Sequence, residues 1–206
     1  MRPGRLIVFE GIDGTGKSTQ LALLADWLQE QGYDVVVTRE PTDGVWGRKI
    51  RELYRNRAAH SLEEELELFI RDRQEHVDQV IQPALDLGKI VLSDRYYFST
   101  AAYQGAAGCD PDEVFARNSF APEPDLVVLL SLDPEAAMER ITTIRGDRPD
   151  DFEQPDQLRR VAELFASFDH PAIRRIDAGL GIDEIQDRIR AEAAGILPAP
   201  SRFSPG

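Results

Sequence analysis

Eight residues near the amino terminus, Gly11-Ile12-Asp13-Gly14-Thr15-Gly16-Lys17-Ser18, have the types and spacing needed to hold a chain of phosphates. They read G-x-x-x-x-G-K-S. Glycines let the backbone turn successive N–H groups inward around an anion, the lysine reaches the outer phosphates, and the serine hydroxyl can ligand Mg²⁺. Gly11 to Thr19 are therefore assigned to nucleotide-phosphate binding. A second candidate metal ligand is Asp94, which ends the apolar run Ile90-Val91-Leu92-Ser93-Asp94. A carboxylate at the carboxyl end of a buried strand can reach the same Mg²⁺; its structural alternative is a helix N-cap.

The segments around these residues fit what they must position. Arg5-Leu6-Ile7-Val8-Phe9 is a short β-rich apolar run, and Leu21, Leu24, Ala25 and Leu28 put one apolar face on a helix after Lys17. Further apolar runs at Asp34 to Thr38, Ile90 to Ser93, Leu126 to Leu132 and Ile173 to Asp177 alternate with helical stretches. That alternation predicts an α/β/α three-layer fold with a five-stranded parallel sheet and helices on both faces. Ser61 with Glu63 and Glu64 opens a helix to about Leu87, and Pro134 and Pro155 mark two more helix starts. Gly105 to Pro111 and Arg145 to Gln154 read as polar, mobile loops.

Composition bounds the function. The 206 residues favour one domain, over 1–197, with a lid at about 140–154 and a disordered tail at 198–206. A net charge of −13 argues against a nucleic-acid polymer or an anionic membrane as partner, so anionic substrates must meet a local basic cluster. A single cysteine, Cys109, excludes an internal disulfide framework and a Cys-based zinc site. With no targeting or membrane segment read, the expected compartment is the cytoplasm. A GTPase would need a guanine-reading N-K-x-D segment, and neither Asn56-Arg57 nor Asn118-Ser119 supplies one.

Phe69 and Arg73 stand four apart on one expected helix, and Thr100, Tyr103 and Gln104 share a face of another, so two faces could enclose a base. Arg39 and Arg95 fall at the carboxyl ends of the second and third strands, where a parallel sheet presents ligand-binding groups.

In order along the chain, Gly11 to Ser18, Thr38-Arg39-Glu40-Pro41, Leu68-Phe69-Ile70-Arg71-Asp72-Arg73, Asp94-Arg95-Tyr96, Ser99-Thr100-Ala101-Ala102-Tyr103-Gln104-Gly105 and Asp147-Arg148 resemble the thymidylate kinase family. The resemblance implies transfer of the γ-phosphoryl group of ATP to dTMP, with Mg²⁺, in a homodimer. It implies that Phe69 stacks on thymine, Arg73 meets a base carbonyl, and Thr100 and Gln104 read the pyrimidine edge. Tyr103 would crowd a ribose 2′-hydroxyl, Arg39 and Arg95 would hold the acceptor phosphate, and Asp13 would accept from the sugar 3′-hydroxyl. Some members carry an arginine inside the phosphate loop, and Asp13-Gly14-Thr15 lacks one. The remaining cation would then come from the lid, where Arg140, Arg145 and Arg148 are available and Arg145 and Arg148 are preferred. Catalysis is accordingly assigned to Lys17, Arg95, Arg145 and Arg148. Two alternatives stay open: a deoxynucleoside kinase, whose Glu40 would deprotonate a 5′-hydroxyl, and a nucleotide-binding switch without turnover.

Overall fold

A computed structural model describes residues 4–145 and 155–197 of the chain. Its centre is a five-stranded, all-parallel sheet of β1 (Arg5–Glu10), β2 (Val35–Arg39), β3 (Ile90–Asp94), β4 (Leu126–Ser131) and β5 (Ile173–Asp177), in the order β2-β3-β1-β4-β5. Each strand lies within two residues of its sequence expectation. The match follows from burial on both faces, which leaves the inner strands no polar side and makes them continuous apolar runs.

Alternate residues of each strand feed two cores. Leu6, Val8, Val91, Val127 and Leu129 pack on one face, beneath α3 (Leu62–His76), α5 (Tyr97–Ala107) and α8 (Pro155–Ser167). Ile7, Phe9, Leu92, Val128 and Leu130 pack on the other, against α1 (Lys17–Glu30) and α9 (Ile182–Ala194). Strand β2 is an edge strand, which is why Val37 remains half-exposed.

The long helix expected from Ser61 is present but is not one uniform helix. Ser61 accepts from the Glu64 N–H while Glu64 accepts from the Ser61 N–H, a reciprocal cap that starts α3. A π turn over Val77–Ile81 then leads into α4 (Gln82–Asp86). Pro83 has no N–H to donate back into a regular helix, and the wider turn absorbs the defect.

Gly105 to Pro111 was expected as a loop, and the structure corrects it. Helix α5 continues through Gly105 to Ala107, and Gly108 closes it in the left-handed region at φ 118°. Alanines on either side of Gly105 sustain the helix, and α6 (Pro111–Arg117) follows almost at once. Helix α2 (Val45–Leu53), to which the sequence reading assigned nothing, buries Ile50 and Leu53 against α3. Helix α7 (Pro134–Arg145) begins where expected, as does α8. The tail expected at 198–206 and most of the lid, 146–154, lie outside the described residues.

Ser61 is exposed and its contribution is local, so Ser61→Ala should cost about 1 kcal/mol of stability through the lost cap. A urea-midpoint shift of that size with turnover unchanged is the expected result; an unchanged midpoint would remove the cap from the account.

Candidate active site

Strand β1 delivers the chain to the phosphate loop and α1 carries it away. Gly11, at φ 131°, and Gly14, at φ 81°, hold backbone conformations that side chains rarely adopt. A Cβ at either would also stand 2.3 Å from the Leu130 carbonyl oxygen or 2.5 Å from that of Ala137. The loop is thus pressed against β4 on one side and α7 on the other. Gly16 occupies the N-cap of α1 with no side chain to cap it, which leaves the helix's first N–H groups directed into the loop. Thr15, buried, braces the turn by donating to the Ile12 carbonyl at 2.9 Å.

Lys17 Nζ donates to the Gly11 and Ile12 carbonyls, both at 2.9 Å, and lies 4.0 Å from Asp13 Oδ1. Burial and the Arg95 charge lower its pKa to about 8, against the pull of Asp13, Asp94 and Glu10. Beside it, Ser18 Oγ donates to Asp94 Oδ2 at 2.5 Å, so the two candidate metal-binding oxygens meet at the start of α1. A cleft of about 210 Å³ runs from Asp13, Lys17, Ser18 and Thr19 to Arg140 on α7. Of the lid arginines, Arg140 thus lines this cleft among the described residues. Arg145 ends α7, its side chain lies outside the described residues, and so does Arg148.

Asp13 is the junction of the site. Its Oδ1 accepts from Arg95 Nη2 at 2.7 Å and its Oδ2 from the Tyr103 hydroxyl at 3.0 Å. Arg95 also donates to Ser99 Oγ at 2.9 Å and lies over the Tyr103 ring at 5.0 Å. Although burial opposes its charge, Asp13 and the neighbouring acids hold the guanidinium firmly protonated. Its backbone is left-handed at φ 76°, an uncommon conformation for a residue with a side chain, and its N–H donates to the Phe9 carbonyl at 2.9 Å.

Glu10, fully buried, fixes that turn from below. Its Oε1 accepts from the Tyr96 and Ser99 N–H groups at 2.8 and 3.1 Å, and its Oε2 from Ser99 Oγ at 2.5 Å. Burial drives its pKa from 4.5 up to about 7 despite these bonds and the Arg95 charge.

A second network holds Arg73, which is 1% exposed. Its Nε and Nη2 both donate to Glu40 Oε2, Nη1 donates to Asn118 Oδ1 at 2.6 Å, and Nη2 to Thr100 Oγ1 at 2.9 Å. His76 bridges Glu40 Oε1 at 3.0 Å and Thr38 Oγ1 at 2.6 Å. Burial resists ionisation of Glu40, but Arg73 and His76 prevail and keep its pKa below the ordinary carboxylate value. Nearby, Gln104 Nε2 donates to Glu65 Oε1 at 3.0 Å while its buried Oε1 has no partner among the described residues. Phe69 is half-buried one turn before Arg73.

Helix α5 places Thr100 against Arg73, Tyr103 against Asp13 and Gln104 against Glu65. Arg39 does not join them. It turns to Asp43, at 2.9 and 3.0 Å, is mostly exposed, and borders a groove of about 790 Å³ that also reaches Ser18, Asp94, Thr38 and His76. The sequence reading gave no role to Glu10, His76 or Asn118. Only Glu10 carries a local signal, a charge closing an apolar strand directly before Gly11.

A family model described as thymidylate kinase matches residues 9–189. The chain belongs to the thymidylate kinase family. Curated relatives named thymidylate kinase include that of Desulfotalea psychrophila, 51% identical over 195 residues, covering 95% of this chain and 96% of the relative. Those of Akkermansia muciniphila, 50% identical over 190 residues, and Xanthomonas euvesicatoria pv. vesicatoria, 47% over 186, cover 92% and 90% of this chain and 91% and 81% of their own lengths. In this thymidylate kinase family member the described segments that carried the resemblance meet in these two networks. Thr38 and Glu40 meet His76 and Arg73, and Arg95 meets Asp13.

The raised pKa of Glu10 has a testable cost. The unfolded chain releases this proton near 4.5 and the folded chain near 7, so stability falls across that interval as pH rises and levels off above it. Glu10→Gln, which keeps an acceptor oxygen, should therefore gain stability relative to the parent chain between pH 4.5 and 7 in urea titrations. A gap independent of pH would refute the assignment.

Proposed function

We propose that the chain transfers the γ-phosphoryl group of ATP to dTMP, giving ADP and dTDP, with the phosphate loop as donor site and α5 with α3 as acceptor site. One observation carries the pairing of the two halves. Asp13 lies within the donor loop, yet both of its oxygens are engaged by Arg95 and Tyr103, from the acceptor side. A carboxylate inside an anion-binding loop opposes a triphosphate unless it has other work, and accepting from the acceptor's sugar hydroxyl is such work.

In this reading an oxygen of the dTMP phosphate attacks Pγ in line, the bond from Pγ to the β,γ-bridging oxygen breaks, and ADP leaves. A phosphate monoester has a second pKa near ~6, so the nucleophile is already ionised and no general base is required. The protein's task is alignment and charge neutralisation. Lys17 leaves its two carbonyls for the β- and γ-phosphates, and Arg95 exchanges Asp13 for the acceptor phosphate. Arg140, with Arg145 and Arg148, supplies the cation that the loop itself lacks. Arg39 would reach the phosphate only by leaving Asp43. Phe69, Arg73, Thr100 and Gln104 form the base pocket, and Tyr103 the wall against a 2′-hydroxyl.

Mg²⁺ fits the pair Ser18 and Asp94, because a hydroxyl and a carboxylate in contact are hard oxygen ligands of the kind it takes alongside phosphate and water. When bound it would neutralise charge on the β- and γ-phosphates. No helix of the described residues is long and apolar enough to cross a membrane. We read residues 1–197 as one cytoplasmic kinase domain acting as a homodimer, on the family resemblance.

The engagement of Glu40 disfavours the deoxynucleoside kinase alternative. Both its oxygens are taken by Arg73 and His76, and a carboxylate held in its ionised form is a weak base.

A coupled ADP assay at fixed ATP and Mg²⁺ tests the assignment. Release should be strongest with dTMP, weaker with dUMP, and weak with thymidine or purine monophosphates; good use of thymidine with dTMP ignored would overturn it. Lys17→Ala should lower kcat at least ~100-fold with an unchanged circular-dichroism spectrum. Turnover near that of the parent chain would refute the role of Lys17.

A further inference from the structure

Side chains tie α3 to α5 at two places, and the two ties differ in what they leave open. At one, Arg73 Nη2 donates to Thr100 Oγ1 at 2.9 Å. At the other, Gln104 Nε2 donates to Glu65 Oε1 at 3.0 Å. Glu65, Phe69 and Arg73 recur at every fourth position and share one face of α3, while Thr100 and Gln104 share one face of α5. Phe69 therefore stands on α3 between the two ties.

Glu65 is 2% exposed, and both of its oxygens are engaged. Oε2 accepts from Arg57 Nε at 2.9 Å, on the short turn Tyr54–Ala59 that follows α2. Its place in the first turn of α3 also suits a negative charge. A carboxylate paired with a guanidinium only accepts, so the Gln104 amide has to offer it the NH2 end. The amide oxygen is thereby turned the other way. That oxygen is fully buried and has no hydrogen-bond partner among the described residues. An acceptor left unpaired in the interior is costly, and it calls for a donor.

Pyrimidines differ in sign at ring atom N3. Thymine and uracil carry an N–H there, and cytosine carries an acceptor lone pair. We propose that Glu65 is a positioning residue for base selection: it fixes the Gln104 amide with its oxygen toward the base, so that the pocket takes pyrimidines with an N3–H and rejects cytosine. Base selection by Glu65 rests on the acceptor pocket of the kinase reading. Glu65 touches no substrate and acts through Gln104, with Arg57 holding its far oxygen.

Glu65→Gln distinguishes this role because it reverses the amide as well as weakening the tie. Arg57 still requires an acceptor and takes the new carbonyl oxygen, which leaves the new NH2 facing Gln104. Gln104 then turns its own oxygen to that NH2 and presents a donor to the base, where cytosine has an acceptor.

Calorimetric titrations of the full chain with dUMP and with dCMP, which share sugar and phosphate, read the preference. It should fall at least about tenfold in Glu65→Gln, through tighter dCMP binding as well as weaker dUMP binding. Gln104→Met, close in size but without the amide, should lower the preference too, and adding Glu65→Gln to it should change the preference no further. An unchanged preference in Glu65→Gln, equal weakening of both nucleotides, or a second full loss on top of Gln104→Met would each overturn the proposal. A Gln104→Met chain with the parent preference would overturn it even if Glu65→Gln failed to fold. A parent chain that prefers dUMP, with variants that shift as stated, but that releases no ADP with dTMP would refute the kinase reading and leave base selection by Glu65 standing.

Discussion

A guanidinium taken out of water stays in place only while a carboxylate faces it, and the buried Arg73 and the largely buried Arg95 obey that constraint. Arg95 is held by Asp13 and Arg73 by Glu40. Removing one partner from such a pair typically costs about 3 to 5 kcal/mol, because the other charge is left buried and alone. The carboxylates therefore decide where the cations wait. Lys17 has a weaker partner set, two carbonyl oxygens and a carboxylate at 4.0 Å, which does not offset burial and the Arg95 charge, and its pKa is lowered.

The two pairs are built for different work. Arg73 is 1% exposed and makes four hydrogen bonds to side chains on β2's exit, α5 and the end of α6, so it is fixed before any ligand arrives. Arg95 is more accessible, at 18% of its side chain; Asp13, its carboxylate partner, also bonds Tyr103, and its other partners are the neutral Ser99 and Tyr103 hydroxyls. A phosphate can replace Asp13 as its partner without leaving a bare charge. On the proposed function, rigid recognition of a base falls to the buried arginine and exchangeable recognition of a phosphate to the more accessible one.

What was legible in the sequence follows from the range of the signal. Strands buried on both faces, the phosphate loop and the Ser61 cap are written in consecutive residues, and the structure reproduces them. The glycines and proline of Gly105 to Pro111 predict a loop, whereas the alanines around Gly105 carry α5 through it. Arg39 was placed at the right strand end, but neither pattern nor spacing encodes which way a long side chain turns, and Asp43 claims it. The least legible part is the buried polar scaffold. Glu10 meets Ser99 across 89 positions and Arg73 meets Asn118 across 45, and no local periodicity links residues so far apart.

Helix α1 is an unfinished structure. Its N-cap glycine satisfies none of the first N–H groups by side chain, so the helix begins with a deficit that most helices settle internally. A phosphate chain seated in the loop would supply the missing acceptors and act as the cap. Folding of this segment and binding of the donor nucleotide then draw on the same hydrogen bonds. By linkage, whatever concentration of nucleotide surrounds the chain sets part of its resistance to unfolding, and the substrate becomes a structural component of the protein it serves.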